Sequence, residues 1–404
     1  MTISDVVLTI KPKFVSFSHI WKTATLKTIK GKVVRSALRT WPYFSFQGKF
    51  FNQTPSQINY LKRNVLKYGA SIWAIPSWWD LTTLEVEASS GQTSLQVKET
   101  SYRQFHEERD VIIINPTDWR LYEVCTISGD SGSISEDEII LKDNLVSSWA
   151  IGSYVLPLYD YHIDPVSFSQ VFSNVESFTI KAEEAYEEER AFEYTLPVSG
   201  EQTYEGLDIF SFSPSFPLKY SYEYPFLRMK FYGMEYAQTD YDISNLDIGL
   251  SFYKSSKKDI HDLLNFFDSK QGMFQKFWLS TWSKDVVINA PFDAADDIVS
   301  IDDIEYSSFY MDEDVIGRHL FFRFPDGSVT QKKIIDVSSG GEEITLSEAI
   351  GTSVSTEELA DMSVSFLMLV CFSIDEVKVN YVEGLYSSQI DFNFRLLLEE
   401  TEVD

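Results

Sequence analysis

The chain has 404 residues and a formal net charge of -27, from 61 acidic and 34 basic side chains. Apolar residues make up 44% and aromatic residues 15% of the chain, which excludes a disordered protein. At about 150 residues per domain, the length predicts two or three domains, each large enough for its own core. The two cysteines, Cys125 and Cys371, are far apart, which excludes a disulfide-rich scaffold. We expect no membrane span and no export, because neither end carries a long apolar run or a signal pattern.

The charge is unevenly distributed along the chain. Residues 1–80 contain twelve basic side chains and only two acidic ones, Asp5 and Asp80, whereas residues 81–404 contain 22 basic and 59 acidic ones. This asymmetry predicts a subunit whose basic end meets an acidic face on itself or on a neighbour, and chance placement is the alternative. An acidic surface repels phosphates, which excludes specific duplex binding over most of the molecule but suits a channel through which nucleic acid slides.

The first structural unit is predicted between Arg39 and Leu84. Alternating aromatic residues at positions 43–46 are typical of a strand. Thr54 as N-cap, Pro55 at the first helical position and Gln57 closing a capping box predict the start of a helix. Its apolar face is formed by Ile58, Leu61, Val65 and Tyr68.

The end of this unit is marked by glycine and tryptophan. Gly69 lies where a helix C-terminus favours a left-handed residue. An aromatic strand is predicted after it, ending in Trp78, Trp79 and Asp80.

Residues 91–159 follow as short strands separated by turn residues. The predicted strands are Leu95–Val97, Val111–Ile114, Tyr122–Ile127, Glu138–Leu141 and Gly152–Pro157. Short strands at even spacing are typical of a small barrel or sandwich. An alternating strand with acidic residues, Phe178–Glu188, closes the first half.

The same order returns between Asp247 and Ile288. Strand residues Ile248, Leu250 and Phe252 precede Ser256, a plausible N-cap, and a helix whose apolar face is formed by Ile260, Leu263, Leu264 and Phe267. Gly272 follows, and Trp282 and Asp285 come after a run of aromatic residues.

A second series of short strands and a closing strand complete the repetition. The predicted strands are Ile298–Ile301, His319–Phe324, Lys333–Val337, Glu343–Leu346 and Val364–Phe372, with Ile390–Glu400 at the end. Four matching segments in one order indicate an internal duplication. We therefore predict a mainly β fold with one helix per repeat (α+β), in two repeats at 1–195 and 196–404, with inserted β-barrels at about 91–160 and about 290–373.

The sequence offers little support for catalysis. No two histidines lie within five residues of each other, and HExxH, GxSxG, GxxxxGK[ST] and GxGxxG are all missing from the sequence. His106, Glu107 and Glu108 could supply metal ligands, but a solvated loop is favoured. Cys125 lies in an apolar strand pattern and is interpreted as a core residue. We expect no enzyme, no cofactor, and no catalytic, cofactor-binding or metal-binding residues.

Tryptophans and acidic residues allow two further interpretations. Asp80 beside Trp78, or Asp285 after Trp282, could serve a glycosidase, which needs paired carboxylates and an aromatic subsite. Because both carboxylates occupy equivalent repeat positions, a core or interface aromatic cluster is favoured. The acidic run Glu183–Glu193 is interpreted as a solvated face.

At these segments the chain resembles tail proteins of long-tailed bacteriophages. LLNFFDSKQGMFQKFWLSTWSKD resembles the helix, glycine and aromatic run of distal tail proteins, and ALRTWPYFSFQGKF with LKRNVLKYGASIWAIPSWWD is similar to tail-tip and hub proteins. GDSGSISEDEIILKDNLVSSWAIGSYVLPL resembles their inserted small barrel. The residues that the resemblance matches are Gly69, Trp78 and Asp80 in the first half and Gly272, Trp282 and Asp285 in the second, as structural positions. The second half departs at Ser280, where the first has Pro76.

The resemblance implies two tandem domains with the tail-tube fold, in which neighbouring subunits close a ring. A duplicated chain would form a pseudo-sixfold ring as a homotrimer in the tail tip or baseplate hub of the virion. The expected partners are tail-tube and tip or fibre proteins, with DNA passing through an acidic lumen without specific binding and the basic N-terminal part contacting a neighbouring ring.

Three other functions are weighed against this one. A hexameric distal-tail adaptor would use one chain for each sixth of the ring. A carbohydrate- or receptor-binding virion module would expose Trp78, Trp79 and Trp282 as sugar platforms. A tail-associated hydrolase would depend on Asp80 or Asp285.

Overall fold

The structure of the protein is a computed structural model. It describes residues 6–27, 33–51, 53–172, 175–185, 203–223, 227–231, 234–238, 245–302, 306, 317–338, 343–382 and 385–397. The predicted boundary at 195/196 lies outside the described residues, as do most of the acidic run Glu183–Glu193 and the last residues of both closing strands. The division into two repeats with inserted barrels therefore stays a prediction.

The described part before residue 186 contains one long helix and fourteen strands. In chain order they are β1 (Val6–Val7), β2 (Phe14–Ile20), β3 (Thr23–Lys27), β4 (Val33–Ala37), β5 (Tyr43–Phe51), α1 (Pro55–Tyr68), β6 (Ile72–Pro76), β7 (Thr82–Thr83), β8 (Ser94–Gln96), β9 (Asp110–Ile114), β10 (Tyr122–Thr126), β11 (Glu138–Ile140), β12 (Tyr154–Ile163), β13 (Ser167–Phe172) and β14 (Val175–Glu184).

The described part after residue 202 contains a second long helix and fourteen more strands. They are β15 (Thr203–Tyr204), β16 (Leu207–Phe210), β17 (Ser215–Glu223), β18 (Leu227–Phe231), β19 (Met234–Gln238), β20 (Asn245–Lys254), α2 (Lys257–Ser269), β21 (Phe277–Ser280), β22 (Ile298–Ser300), β23 (His319–Arg323), β24 (Val329–Val337), β25 (Glu343–Leu346), β26 (Ser363–Phe372), β27 (Glu376–Val382) and β28 (Leu385–Leu396).

The fold is mainly β, as predicted, and every short strand predicted in 91–159 and 298–373 is present. The predicted end of the first unit is wrong. The strand after α1 ends at Pro76, and Trp78–Asp80 form a 3-10 turn instead of continuing it. The proline ends the strand because it has no amide N–H to donate to a ladder.

The central feature is an antiparallel sheet that combines strands from both ends of the chain. Its order is β13-β14-β5-β2-β27-β28-β20-β17, and each neighbouring pair is antiparallel. The strands β13, β14, β5 and β2 come from before residue 186, and β27, β28, β20 and β17 come from after residue 202. The contact between β2 and β27 makes the two sets one continuous sheet.

Each of the two parts of the chain also forms a group of three strands, and the two groups have the same arrangement. Strand β6 lies between β1, which is parallel to it, and β12, which is antiparallel. Strand β21 likewise lies between the parallel β16 and the antiparallel β26. The long strands β12 and β26 then continue into the short strands of 91–160 and 290–373, through β9 and β23.

The helices cover one face of the central sheet. Helix α1 buries Leu61 in an aromatic core with Phe17, Phe46 and Phe178 from β2, β5 and β14. Helix α2 buries a longer apolar face in a second core with side chains of β20, β27 and β28, listed as Ile260, Leu263, Phe266, Phe267, Leu250, Phe252, Val379, Phe392 and Phe394. Side chains alternate between the two faces of a strand, so the opposite face is left for polar residues.

Two further apolar cores lie in the short-strand regions. One contains residues between Leu84 and Val155, and the other contains residues between Val286 and Phe366. No helix within the described ranges is long and apolar enough to cross a membrane.

Candidate functional site

Four of the residues matched by the resemblance, Trp78 and Asp80 in the first half and Trp282 and Asp285 in the second, lie in two short turns with similar hydrogen bonds. Ser77 Oγ donates to Asp80 Oδ2 at 2.5 Å, and Thr281 Oγ1 donates to Asp285 Oδ2. The backbone N–H groups of Ser77 and Thr281 donate to strands β12 and β26, at Pro157 O and Phe366 O. In each turn the carboxylate therefore fixes a hydroxyl residue that directly precedes a tryptophan. Ser77 and Thr281 were not predicted from the sequence to have this role.

The tryptophans of these turns are mostly enclosed within the chain. Trp78 and Trp79 are each only 7% exposed, and the Trp79 ring stacks on Phe17 with centroids 4.1 Å apart. Trp282 is half-buried, and the Arg323 guanidinium lies 4.2 Å from its ring centroid. Trp78 and Trp79 offer no open face to a sugar ring, which removes the residues on which the carbohydrate-binding interpretation mainly depended.

The two glycines differ in conformation. Gly272 is left-handed, with φ +62°, and a Cβ at this position would lie 2.6 Å from Asp375 Oδ1 and 3.0 Å from Trp21 Cβ. Gly69 has φ -60° and ψ -23°, so the prediction that it is left-handed is wrong. Helix α1 ends in a right-handed turn, and the amide N–H of Ser71 donates to Tyr68 O after it.

Strands β2 and β27 form the seam between the two sets of four strands. Their register pairs Phe17 with Val379, Ser18 with Lys378 and His19 with Val377. Phe17, His19, Val377 and Val379 are each no more than 2% exposed. The seam is thus closed on its helix-covered face by a row of buried side chains from both parts of the chain.

A buried carboxylate on α2 links this helix to β2 and the residue after it. Asp268, 2% exposed, lies 2.6 Å from His19 Nδ1 through its Oδ2, and its Oδ1 accepts from Trp21 Nε1 at 2.8 Å. Both ring groups would otherwise be buried without a partner, which costs free energy. Asp268 therefore holds the first part of the chain against the second helix.

A second ionic contact crosses the seam at the first turn of α2. Lys257 Nζ lies 3.1 Å from Asp80 Oδ1. Burial lowers the pKa of Lys257, and the neighbouring Asp80 carboxylate opposes that shift. Asp80 thereby uses one oxygen for Ser77 and the other for Lys257, which leaves it poorly placed to act as a catalytic acid.

Asp375, just before β27, binds both sides of the seam. Its Oδ1 and Oδ2 accept from Thr23 Oγ1 at 2.9 Å and from the Thr23 N–H at 2.6 Å, and its Oδ1 also accepts from the Met273 N–H at 2.9 Å. The left-handed Gly272 allows this close approach. The carboxylate therefore ties the end of α2 to the chain that leaves β2.

The face of the sheet opposite the helices is polar. Ser16 Oγ donates to Asn380 Oδ1 at 2.7 Å, and Lys378 Nζ donates to Gln47 Oε1 at 3.1 Å, both across the seam. A cavity of about 280 Å³ opens there. Its lining contains the basic Lys181 and Lys378 and three acidic residues, Asp164, Glu183 and Glu376, so acidic side chains are in excess by one.

Charges on this polar face nearly balance. Its basic residues are Lys49, Lys181, Lys219, Lys378 and Arg395, and its acidic ones include Glu183, Asp247, Glu376 and Asp391. Arg395 Nε donates to Asp247 Oδ1 at 3.0 Å, which neutralises one pair directly. Among the described side chains of this face, the large acidic excess of the whole chain does not recur.

The outer strands of the sheet are β13 and β17. Among the described strands, β13 pairs with β14 alone and β17 with β20 alone. Three aromatic residues of β17 are open to solvent, with exposures of 73% for Phe216, 38% for Tyr220 and 63% for Tyr222. Exposed aromatic residues along an unpaired sheet edge are typical of a surface that binds another strand.

The described residues hold no group of three or more His, Cys, Asp or Glu side chains placed to bind a metal ion. Asp285 accepts from the Phe366 N–H at 2.8 Å as well as from Thr281. Both acidic residues that a hydrolase would need are thus held by structural hydrogen bonds.

No model of a protein family matches the chain, and no curated protein matches it.

Proposed function

We propose that the protein is a structural component of a bacteriophage tail tip or baseplate, a duplicated hub subunit with two tandem tail-tube-like domains. Three chains form a ring with pseudo-sixfold symmetry that continues the tail tube and its DNA channel. The protein acts mechanically and carries out no reaction. Its location is the tail tip of the virion.

The observation that carries this proposal is the strand order of the central sheet. Strands β13, β14, β5 and β2 follow one another across the sheet, and β27, β28, β20 and β17 repeat that order. In both sets the third strand leads directly into the long helix, and the last strand in chain order lies second. This strand order is the one expected if two copies of one unit are joined side by side in one sheet.

The helices support the same equivalence. When the two N-caps, Thr54 and Ser256, are placed in register, the buried positions Ile58 and Leu61 coincide with the buried Ile260 and Leu263, and the partly buried Val65 coincides with Phe267. The parallel pairs β1–β6 and β16–β21 also match, through the fully buried Trp73 and Trp278. A duplicated chain halves the number of subunits that a ring of fixed symmetry needs.

The polar face supports a role as a channel wall. Serine, asparagine and glutamine side chains alternate there with charges of both signs that nearly cancel. Such a surface attracts phosphates weakly, because strong binding of DNA requires a net positive charge. DNA would pass along it without specific binding.

The partners that this proposal requires are other tail proteins along the ring axis. The hairpin β3–β4 supports such a contact, because residues 22–39 contain six basic and no acidic side chains. Leu26 and Val34, at exposures of 68% and 50%, add apolar contact area. An acidic face of a neighbouring ring would complement this hairpin.

The mass of the assembly tests the proposal. Mass photometry of the purified protein should show particles of three chains of 46.5 kDa each. Two-dimensional electron-microscopy classes of the same sample should show six similar lobes. Particles of six chains would favour the distal-tail adaptor, and a monomer at every concentration would contradict a ring of either kind.

A further inference from the structure

We infer that strand β17 of one chain pairs with strand β13 of the next in the register that joins β2 to β27 within the chain, an inference that rests on the ring proposed above. The partner is a second copy of this chain. The two outer edges differ from each other, so the contact is heterologous and closes into a ring.

The register of β17 follows from its neighbours in the sheet. Phe46 on β5 and Ile248 on β20 occupy the same place, because each lies eight residues before the N-cap of its helix. Phe17 pairs with Phe46, and Tyr220 pairs with Ile248. Tyr220 on the outer edge is therefore the equivalent of Phe17 in the internal seam.

The register of β13 follows in the same way. Phe50 and Phe252 each lie four residues before the N-cap of their helix. Phe168 on β13 is aligned with Phe50 on β5 through the strand between them, β14. Val379 on β27 is aligned in the same way with Phe252 on β20 through β28. Phe168 is thus the equivalent of Val379.

The internal seam then fixes the pairs between chains. Because Phe17 pairs with Val379, Ser18 with Lys378 and His19 with Val377, three pairs are expected across the contact. They join Tyr220 to Phe168, Ser221 to Ser167 and Tyr222 to Val166 of the next chain.

Exposure of these side chains fits an interface that a single chain leaves open. Phe17 and His19 are 1% and 2% exposed in the internal seam, whereas their equivalents Tyr220 and Tyr222 are 38% and 63% exposed. Phe168 and Val166 are half-buried beside the first core. Pairing the two edges would cover the aromatic rings of β17 in the way that β27 covers β2.

The helices point to the same contact. Asp268 on α2 is equivalent to Leu66 on α1, since each is twelve residues after its N-cap. Asp268 is 2% exposed because His19 and Trp21 cover it, whereas Leu66 is 90% exposed. In the proposed contact Tyr222, the equivalent of His19, would cover Leu66 of the next chain.

The two seams therefore differ in chemistry. The seam within the chain is closed by His19, Asp268 and Trp21, whose polar groups depend on each other for hydrogen bonds. The seam between chains is closed by Leu66 and Tyr222, which can be exposed before assembly at little cost. An apolar contact also makes assembly insensitive to salt, since ion pairs do not drive it.

Paired cysteines test the register. In Ser221→Cys combined with Ser167→Cys, mild oxidation should join the chains into covalent species of up to three chains on a non-reducing gel. The two positions cannot close within one chain, because they lie on opposite edges of the sheet, more than about 30 Å apart. The native thiols should stay silent, since Cys371 is buried and burial raises the pKa of Cys125 to about 12.

Two matched pairs serve as controls. Ser18→Cys with Lys378→Cys occupies the equivalent positions of the internal seam and should close within one chain. Ser221→Cys with Ser169→Cys is shifted by two residues and should give at least tenfold less crosslinked chain, because diagonal neighbours lie too far apart for a disulfide.

The outcomes distinguish an error in the inferred register from an error in the proposed ring. If three-chain particles form but the shifted pair crosslinks as well as the in-register pair, the inferred register is wrong and the ring stands. If the unmodified protein forms no ring, the proposed function fails, and the inferred contact fails with it.

A surface substitution tests the apolar closure. Leu66→Arg should weaken trimer formation at least tenfold, whereas Val146→Arg, at a side chain 80% exposed in the first short-strand region, should leave it unchanged. Both variants should fold, because both side chains are exposed. Equal trimer formation by the two variants would contradict a role for Leu66 in the contact.

Discussion

At the scale of single residues, the seam within the chain depends on one carboxylate. Asp268 is shared by His19 and Trp21, and all three side chains are buried. In Asp268→Ala, two ring N–H or N groups lose their partner, and each unsatisfied group costs about 1–3 kcal/mol. We therefore expect the free energy of unfolding to fall by about 3 kcal/mol, measured by urea denaturation.

The control for this variant lies on the same helix. Asp259→Ala removes a carboxylate from the first turn of α2, where it interacts with the helix dipole and with the charge of Lys258. Its effect should stay below about 1 kcal/mol. A loss of the same size in both variants would show that Asp268 has no special part in the seam.

A second residue makes stability depend on pH. Burial lowers the pKa of His319 to about 4, and the positive charges of Lys333 and Arg318 add to this shift. The unfolded chain, with an ordinary histidine pKa near 6.5, binds the proton more readily, so stability falls as the pH decreases from about 6.5 to about 4. The loss attributable to this one group should be roughly 2–3 kcal/mol.

Substitution of His319 separates its contribution to the pH dependence of stability from the contribution of the many acidic residues. His319→Gln keeps a polar partner for the Tyr204 hydroxyl, which lies 2.8 Å from His319 Nδ1, but does not titrate. The difference in unfolding free energy between the variant and the native protein should therefore change across pH 4–6.5. A His319→Gln curve that runs parallel to the native protein over this range would contradict the assignment.

At the scale of elements, the two helices start differently although the sequence predicts a cap for both. Thr54 and Gln57 form the predicted capping box, with Gln57 Oε1 accepting from the Thr54 N–H at 2.8 Å. Ser256 occupies the N-cap of α2, but its side chain makes no capping hydrogen bond. The sequence pattern predicts which residue occupies the N-cap position. Whether the side chain of that residue adopts the rotamer that makes the capping hydrogen bond depends on neighbouring residues that the pattern does not identify.

Hydrogen exchange measures this difference. Thr54→Ala should destabilise the start of α1 by about 1 kcal/mol, which corresponds to roughly fivefold faster exchange of its first-turn amides. Ser256→Ala is the matched control and should change exchange in α2 by less than twofold. Equal acceleration in both helices would contradict the assigned capping box.

The strands of the two short-strand regions were predicted well because their signal is local, whereas β2, β13, β17 and β27 of the central sheet were not predicted. In both short-strand regions, the alternation of apolar and polar residues predicts the strands, and the turn residues between the strands predict where each strand begins and ends. The turn at Trp78–Asp80 was missed because an aromatic run reads as a strand, and only its hydrogen bonds show the bend. Ser77 and Thr281 could have been found, since a small hydroxyl residue directly precedes the tryptophan in both turns.

At the scale of the whole molecule, the order of the strands could not be read from the sequence. The pairing of β2 with β27 joins residues more than 350 positions apart, and no local pattern encodes it. The repeated order of motifs predicted two similar units, but not that they would share one sheet. The contacts of Asp268 and Asp375 across the seam were missed for the same reason.

The charge of the whole chain differs from the charge of the polar face of the central sheet. The excess of acidic residues after position 80 is large, yet the polar face of the central sheet is nearly balanced. Net charge describes the total surface, whereas the charge of one face depends on which residues alternate onto it. The ring proposed here consequently has a weakly charged inner wall.

The central claim is that two equivalent units in each chain build a ring from three chains. A three-dimensional electron-microscopy reconstruction of the assembled protein, computed without imposed symmetry, measures this directly. The proposed ring should show threefold symmetry, one continuous sheet around the ring, and six similar seams of which three lie within chains and three between them. A ring of six chains with identical seams, or an assembly in which β17 and β13 stay at free edges, would contradict it.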